Sequence, residues 1–389
     1  MATRIITAEA IVTGRAPSTG AEVLRPGWIE VTDGRITAIS AGRPPRPTDD
    51  DLGAVTLIPG FVDMHSHGGG GSAFTEATPE AVDTVTALHG SHGTTAMMAS
   101  LVSASPEELL RQVRALAEEV RAGRILGIHL EGPWMSPCRI GAHEPSMLRH
   151  PDPAEIDALL EAGDGAIRMV TLAPELPGGL EAVRRLVDAG VIVAVGHTEA
   201  TYDETRAAID AGASVATHLF NAMRPIHHRE PGPVVALCED PRVTVELIGD
   251  GVHVHPVNYR AASSIVGPDR LVLMTDAMAA AGMTDGPYML GSLAVDVTDG
   301  IARVAGTDTI AGSTACMDQL FRFAVDHCGL TGDDALLTAV RQTSLNPARV
   351  LGLPHEGLVV GAAADLVALD ADLNVVQVIG GMRATTPLR

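Results

Sequence analysis

The feature that most restricts the fold is a texture that begins at Leu57 and repeats to Thr275. Eight short apolar runs occur there: Leu57–His65, Thr94–Leu101, Ile125–Leu130, Ile167–Leu172, Val191–Gly196, Ser214–His218, Val243–Ile248 and Arg270–Thr275. Amphipathic stretches separate them, among them Pro106–Ala122, Ala154–Ala162, Leu180–Ala189 and Tyr202–Ala211. Strands covered on both faces read as near-continuous apolar runs, and helices between them imply parallel crossovers. Eight such units predict an α/β chain folded as a (β/α)8 TIM-type barrel. An open doubly wound sheet is the structural alternative, and no G-x-G-x-x-G fingerprint supports it.

The flanks have a different grain. Ala10–Thr13, Gly27–Thr32 and Arg35–Ser40 alternate in a β manner, with Asp33-Gly34 as a tight hairpin signal and Pro44–Asp51 as a surface loop. Residues 356–380 return to short strands. Neither end has strands enough to bury a core alone, so the two are expected to pair. The predicted organisation is a small β-sandwich domain formed by both chain termini, 1–56 and 347–389, beside a barrel at 57–346. Within the barrel, Ala279–Thr309 reads as a β-hairpin insertion, followed by helices at Met317–Cys328 and Asp333–Thr343.

Composition narrows the chemistry. The chain has no lysine, so all 27 basic residues are arginine. Schiff-base catalysis, a phosphate-loop lysine and a carboxylated-lysine metal bridge are all excluded. A net charge of −21 argues against nucleic acid and anionic membrane as partners. Cys138, Cys238, Cys316 and Cys328 are scattered, as expected of reduced thiols. No signal peptide and no membrane-length apolar run is evident, and a cytoplasmic location is expected.

In a barrel the active site lies at the C-terminal strand ends. Those ends carry metal-competent residues: His65 and His67, Glu131, His197, His218 and Asp276. The i, i+2 spacing of His65 and His67 puts both imidazoles on one strand face. Four histidines and two carboxylates could hold one or two divalent ions of zinc, iron or manganese. With no lysine available, Glu131 is the natural bridge between two. Metal-activated water would be the nucleophile, and Asp276 could take its proton and pass it to a leaving nitrogen. The run Arg224–Arg229 is the densest basic segment near the expected barrel mouth, suited to an anionic group.

The segments PGFVDMHSHG, HLEGPW, VGHTEA, THLFNAM, HREPG, DGVHV and TDAMAAAG, in this order, resemble the amidohydrolase superfamily. More narrowly, they resemble its N-acetylglucosamine-6-phosphate deacetylase family over essentially the whole chain. The resemblance implies metal ligands at His65, His67, Glu131, His197 and His218, with Asp276 as catalytic acid and base. It implies substrate contacts from His143, Asn221, Ala222, Arg229 and His253, with His253 polarising the acetyl carbonyl. Arg229 would meet the sugar phosphate, across a homodimer boundary. Some relatives replace the His-x-His pair and bind one ion; both histidines are kept here, which favours two, zinc foremost. His227-His228 stand where the family often has glycine.

Rival readings are a D-aminoacylase, a ring deaminase, or an inactive barrel serving as a binding protein. Cys138 and Trp134 read as ordinary loop residues, and His89, His92, His150, His255, His327 and His355 as ordinary histidines.

Overall fold

The computed structural model describes residues 3–14, 22–353 and 357–381; His355 lies outside them. Eight parallel strands follow one another in chain order: Phe61–Asp63, Thr94–Leu101 (interrupted at Met98), Ile128–Glu131, Ile167–Leu172, Ile192–Val195, Val215–Ala216, Thr244–Ile248 and Leu271–Met274. The eighth returns to the first. Asp276 N–H donates to His65 O at 2.9 Å, and Ser66 pairs with Ala277 in a parallel bridge. The sheet is thus a closed barrel of the expected class.

The first run differs from expectation. Leu57–His65 was predicted as one strand, but the structure divides it at Gly60. Thr56–Pro59 pairs with Leu366–Leu369 and Ala10–Val12, and only Phe61–Asp63 joins the barrel. The cause is local. Pro59 offers no N–H to a ladder, and a Cβ at Gly60 would lie 2.1 Å from Thr95 Oγ1, so only glycine permits the crossing.

That crossing links the barrel to two terminal sheets. One has the order Arg35–Ala41, Gly27–Thr32, Thr3–Ala8, Asp50–Asp51; the other Val375–Ile379, Leu366–Leu369, Thr56–Pro59, Ala10–Val12, Val23–Leu24. Ile6, Ile29, Ile36, Ile11, Leu57 and Leu366 belong to one apolar cluster that both sheets share. Asp33 and Gly34 both have positive φ, as a two-residue hairpin turn with the strands' own twist requires. At the other end, the helix Asn346–Val350 packs Ala348 with Val62, Met98, Met169 and Val272 at the barrel floor. The boundaries expected at 56/57 and 346/347 therefore both fall inside packed elements.

The amphipathic stretches form helices close to their predicted limits: Pro106–Arg121, Pro153–Gly163, Gly179–Asp188 and Tyr202–Asp210. Side-chain caps explain several starts. Ser105 and Thr201 accept backbone N–H groups three residues on, and Glu204 completes a capping box with Thr201. The insertion is a three-stranded sheet, Gly286–Leu290, Leu293–Thr298 and Ile301–Val304, lying over the barrel mouth. No helix among the described residues is long and apolar enough to cross a membrane.

A buried side-chain contact also ties the eighth strand to the first. Thr275 Oγ1 donates to Asp63 Oδ2 at 2.6 Å, and the remaining donors to Asp63 are backbone N–H groups at 3.3 and 3.4 Å. Thr275→Val keeps the shape and removes the strong donor, leaving a buried carboxylate underbonded. The expected loss is about 1–3 kcal/mol of unfolding free energy in denaturant titration. An unchanged midpoint would show that closure does not depend on this bond.

Candidate active site

Five strand ends bring six side chains into one cluster. His65 and His67 leave the first strand, Glu131 ends the third, and His197, His218 and Asp276 follow the fifth, sixth and eighth. All six are buried. Glu131 sits at the centre. Its Oε1 lies 3.0 Å from His218 Nε2 and 3.1 Å from His197 Nε2, and its Oε2 lies 3.1 Å from His67 Nε2. Asp276 Oδ1 lies 3.2 Å from His67 Nε2 and 3.5 Å from His65 Nε2.

The local backbone turns these side chains inward. His197, His218 and Asp276 all have positive φ, as do Phe220 and Ala222. Each costs about 1–3 kcal/mol and persists only where surrounding contacts impose it. Gly141 lets its loop pass close to His197, since a Cβ there would lie 2.9 Å from the ring. Backbone carbonyls fix two imidazoles: His67 Nδ1 meets Ser100 O at 3.2 Å, and His197 Nδ1 meets Arg139 O at 2.9 Å. Both rings are therefore held with Nε2 toward the centre, as imidazoles that bind metals are when their other nitrogen donates to a carbonyl.

Ligand atoms of His65, His67, Glu131 and Asp276 lie within 4.8 Å of one another, as do those of Glu131, His143 and His197. Glu131 is common to both groups. Nitrogen and carboxylate donors at this spacing form a divalent-metal site, and the donor set fits the ions expected from the sequence.

The electrostatics agree. Burial alone would push the His65 imidazole down, but the Glu131 and Asp276 carboxylates hold it well above its ordinary value. Burial is likewise overridden at His67, raised to about 9 by Asp276 and Glu131. Glu131 is held well below the usual carboxylate range against its burial, by His65 and by hydrogen bonds from His143, His197 and His218. His129, directly beneath, goes the other way: burial and the neighbouring His65 charge keep it neutral between Ser100 Oγ at 3.0 Å and Thr171 Oγ1 at 2.8 Å.

A cavity of about 300 Å³ opens above the cluster, lined by His67, Glu131, His197, His218 and Asp276. His143, Asn221, Ala222 and His253 line it as well, so four of the five residues expected to contact substrate are brought together. His253 is oriented by Asp250, whose Oδ2 lies 2.7 Å from its Nδ1. Arg229 is not in this cavity. It is exposed on the loop beyond Met223, with Nη1 2.6 Å from Nε2 of its neighbour His228 and without a carboxylate partner among the described residues. Arg224, by contrast, is committed to Glu230 and Glu199.

Sequence reasoning missed Leu290, Asp308, Thr309 and Ile310, which the insertion contributes to the wall. It also missed Asp250 and Glu246. The signal for Glu246 was present: a carboxylate inside the apolar run Val243–Ile248. Cys138 is an exposed free thiol, while His89 and His92 serve as structural hydrogen-bond partners of Gly68 and Asp318.

Residues 56–385 match the Amidohydrolase family. The chain is 36% identical over 371 residues to the N-acetylglucosamine-6-phosphate deacetylase of Bacillus subtilis, covering 92% of each protein. It is 38% identical over 366 residues to the N-acetylgalactosamine-6-phosphate deacetylase of Escherichia coli O157:H7, covering 90% of this chain and 94% of that one. Among solved structures, it is similar to a mutant N-acetyl-D-glucosamine-6-phosphate deacetylase of Mycobacterium smegmatis in complex with N-acetyl-D-glucosamine-6-phosphate. That likeness has 60% identity and a TM-score of 0.95, and covers 99% of this chain and 100% of the other.

Proton and metal must compete for the same nitrogens. With His67 raised to about 9, the ion-free cluster holds protons at neutral pH, and an entering cation must displace them. Calorimetric titration with Zn²⁺ at pH 7.5, in buffers of different ionisation enthalpy, is expected to show net proton release. Affinity should fall as pH drops from 9 to 6. A pH-independent affinity over that range would rule out His67 as a ligand.

Proposed function

The chain belongs to the amidohydrolase family, and we propose that it hydrolyses the acetamide of N-acetyl-D-glucosamine 6-phosphate to D-glucosamine 6-phosphate and acetate. The observation that carries this reading is the cavity. Its floor is a metal-competent cluster, and Asp276 and His253 both line it above that floor. Similarity over nearly the full length to relatives that act on amino-sugar phosphates supports the substrate class.

In this reading His65, His67, Glu131, His197 and His218 would hold up to two divalent ions, zinc foremost. Divalent ions held there would supply Lewis acidity toward a carbonyl oxygen and lower the pKa of water to near neutral. Asp276 accepts a proton from the attacking water. It then returns that proton to the sugar nitrogen as the C–N bond breaks, so that a neutral amine and acetic acid form, and the acid gives up its remaining proton to solvent as acetate. His253 donates from Nε2 to the acetyl oxygen. Its Nδ1 is engaged by Asp250, which raises the imidazole pKa against the effect of burial. His143, Asn221 and Ala222 hold the sugar.

Arg229 meets the phosphate. Because it stands outside its own chain's cavity, its contact is made across the subunit boundary of a homodimer, to the neighbouring chain's substrate. Sedimentation equilibrium, and activity of mixtures of two singly inactive variants, test that arrangement.

Turnover of N-acetylglucosamine 6-phosphate, its galacto epimer, unphosphorylated N-acetylglucosamine and an N-acetyl-D-amino acid tests the whole reading. Preference for an N-acetyl amino acid would replace it with a D-aminoacylase. An inert protein that holds its metal would favour the binding-protein alternative.

Two substitutions test the roles. Asp276→Asn should retain metal, since the imidazoles and Glu131 remain, yet lose about 10²–10⁴ in kcat because an amide cannot accept the proton. Near-normal turnover of the metal-loaded variant would remove Asp276 from the mechanism. Arg229→Ala should lower kcat/KM for the phosphorylated substrate by roughly 10- to 150-fold, the equivalent of about 1.5–3 kcal/mol for a charged hydrogen bond. The unphosphorylated sugar should change little. An equal fall for both would assign Arg229 to the fold or the subunit boundary.

A further inference from the structure

Glu246 lies within the seventh barrel strand, Thr244–Ile248, and is 0% exposed. Neither of its carboxylate oxygens has a hydrogen-bond partner among the described residues. A buried carboxylate without partners is among the most expensive features a fold can carry, so its neighbours matter. Directly opposite is a second buried orphan. His65 Nδ1 also lacks a partner, and it lies 3.6 Å from Glu246 Oε2. The other ring nitrogen of His65 faces the cluster, 3.6 Å from Glu131 Oε1 and 3.5 Å from Asp276 Oδ1.

The two orphans have matching chemistry, one a donor when protonated and the other an acceptor. A small rotation of either side chain closes the gap to ordinary hydrogen-bond length, about 2.9 Å. The backbone of Glu246 is anchored for this, since its carbonyl accepts Leu219 N–H at 2.8 Å. His67 and His197 already have backbone carbonyls on Nδ1. His65 has no carbonyl there and has Glu246 instead.

We propose that Glu246 is the positioning residue for His65: it accepts the Nδ1–H, fixes that tautomer, and presents Nε2 to an ion held with His67. The inference rests on the reading of His65 as a metal ligand. It assigns a purpose to a carboxylate that the reaction itself does not use.

The test is Zn²⁺ binding to ion-free protein in competition with a chromophoric chelator, together with thermal unfolding of the ion-free state. Glu246→Gln keeps the volume and removes the charge; Glu246→Leu removes the polar group altogether; His65→Ala identifies the ion concerned. Both Glu246 variants are expected to bind one ion about 10- to 100-fold more weakly, the usual effect of losing such a partner. That ion should be the one weakened by His65→Ala. Ion-free Glu246→Leu should melt no lower than the parent, because removing the desolvation cost of a buried carboxylate offsets the loss of its one bond to His65. Parental affinity in both Glu246 variants, with affinity lost in His65→Ala, would overturn the positioning role alone. Parental affinity in His65→Ala would overturn the ligand reading and this inference with it. A lowered ion-free melting temperature with unchanged affinity would make Glu246 a structural residue only.

Discussion

The arrangement of the barrel mouth depends on the buried carboxylate of Glu131. Its two oxygens stand between imidazoles that would otherwise face one another at short range: His65 and His67 Nε2 are 3.2 Å apart, and His197 and His218 Nε2 are 3.1 Å apart. Protonated rings at that separation repel strongly in a dry interior, and neutral rings leave a buried anion unbalanced. The cluster is stable only as a charge-compensated unit, with protons or a divalent cation supplying the positive charge. That makes metal affinity a property of the whole ring of strand ends rather than of any single ligand.

The barrel delivers this unit by grading its interior. At the floor, Val62, Met98, Met169, Val215 and Val272 form an apolar layer closed by Ala348 and Leu351. Above it runs a neutral polar chain, in which His129 bonds Ser100 and Thr171, and Thr171 bonds Thr217 at 2.8 Å. The charged cluster sits on top. Glu246, within the seventh strand, faces His65 across 3.6 Å. The strained turns at His197, His218 and Asp276 follow from the same design. Short strands with inward-facing ends leave the chain little room to reverse, and His and Asp tolerate the left-handed region better than most residues.

Much of this was legible in the sequence because periodicity and spacing are local. Eight apolar runs gave eight strands, and the terminal His-x-His, Glu, His, His and Asp mark the strand ends that converge. The misreading at Leu57–His65 has a comparable origin. A continuous apolar run cannot reveal a change of sheet; only the proline-glycine pair at 59–60 hinted at it. What could not be read was long-range. Leu290, Asp308, Thr309 and Ile310 reach the cavity because the insertion folds back over the mouth, and nothing in their own spacing says so. Asp250 acts on a neighbour rather than on a ligand, so no motif for a reacting group would have selected it; Glu246 stood out as a carboxylate inside an apolar run, but its partner His65 was visible only in the fold. Arg229 is the reverse case. Its segment was evident, but its exposure and its distance from its own cavity emerge only from the folded chain.

The charge distribution ties these features together. A chain of net charge −21 repels a phosphate ester at long range. Productive attraction must therefore be local, and the structure offers positive character at two separated levels. One is the cluster at the cavity floor, where a divalent cation would replace displaced protons. The other is the loop of His227, His228 and Arg229, outside the cavity lining, where Arg229 has no carboxylate partner among the described residues. In the proposed arrangement a sugar would lie with its amide toward the floor and its anionic end toward this loop of the neighbouring subunit. The acidic exterior then works as a filter. It disfavours anions in general, and only a ligand long enough to engage both levels at once recovers the cost of approaching.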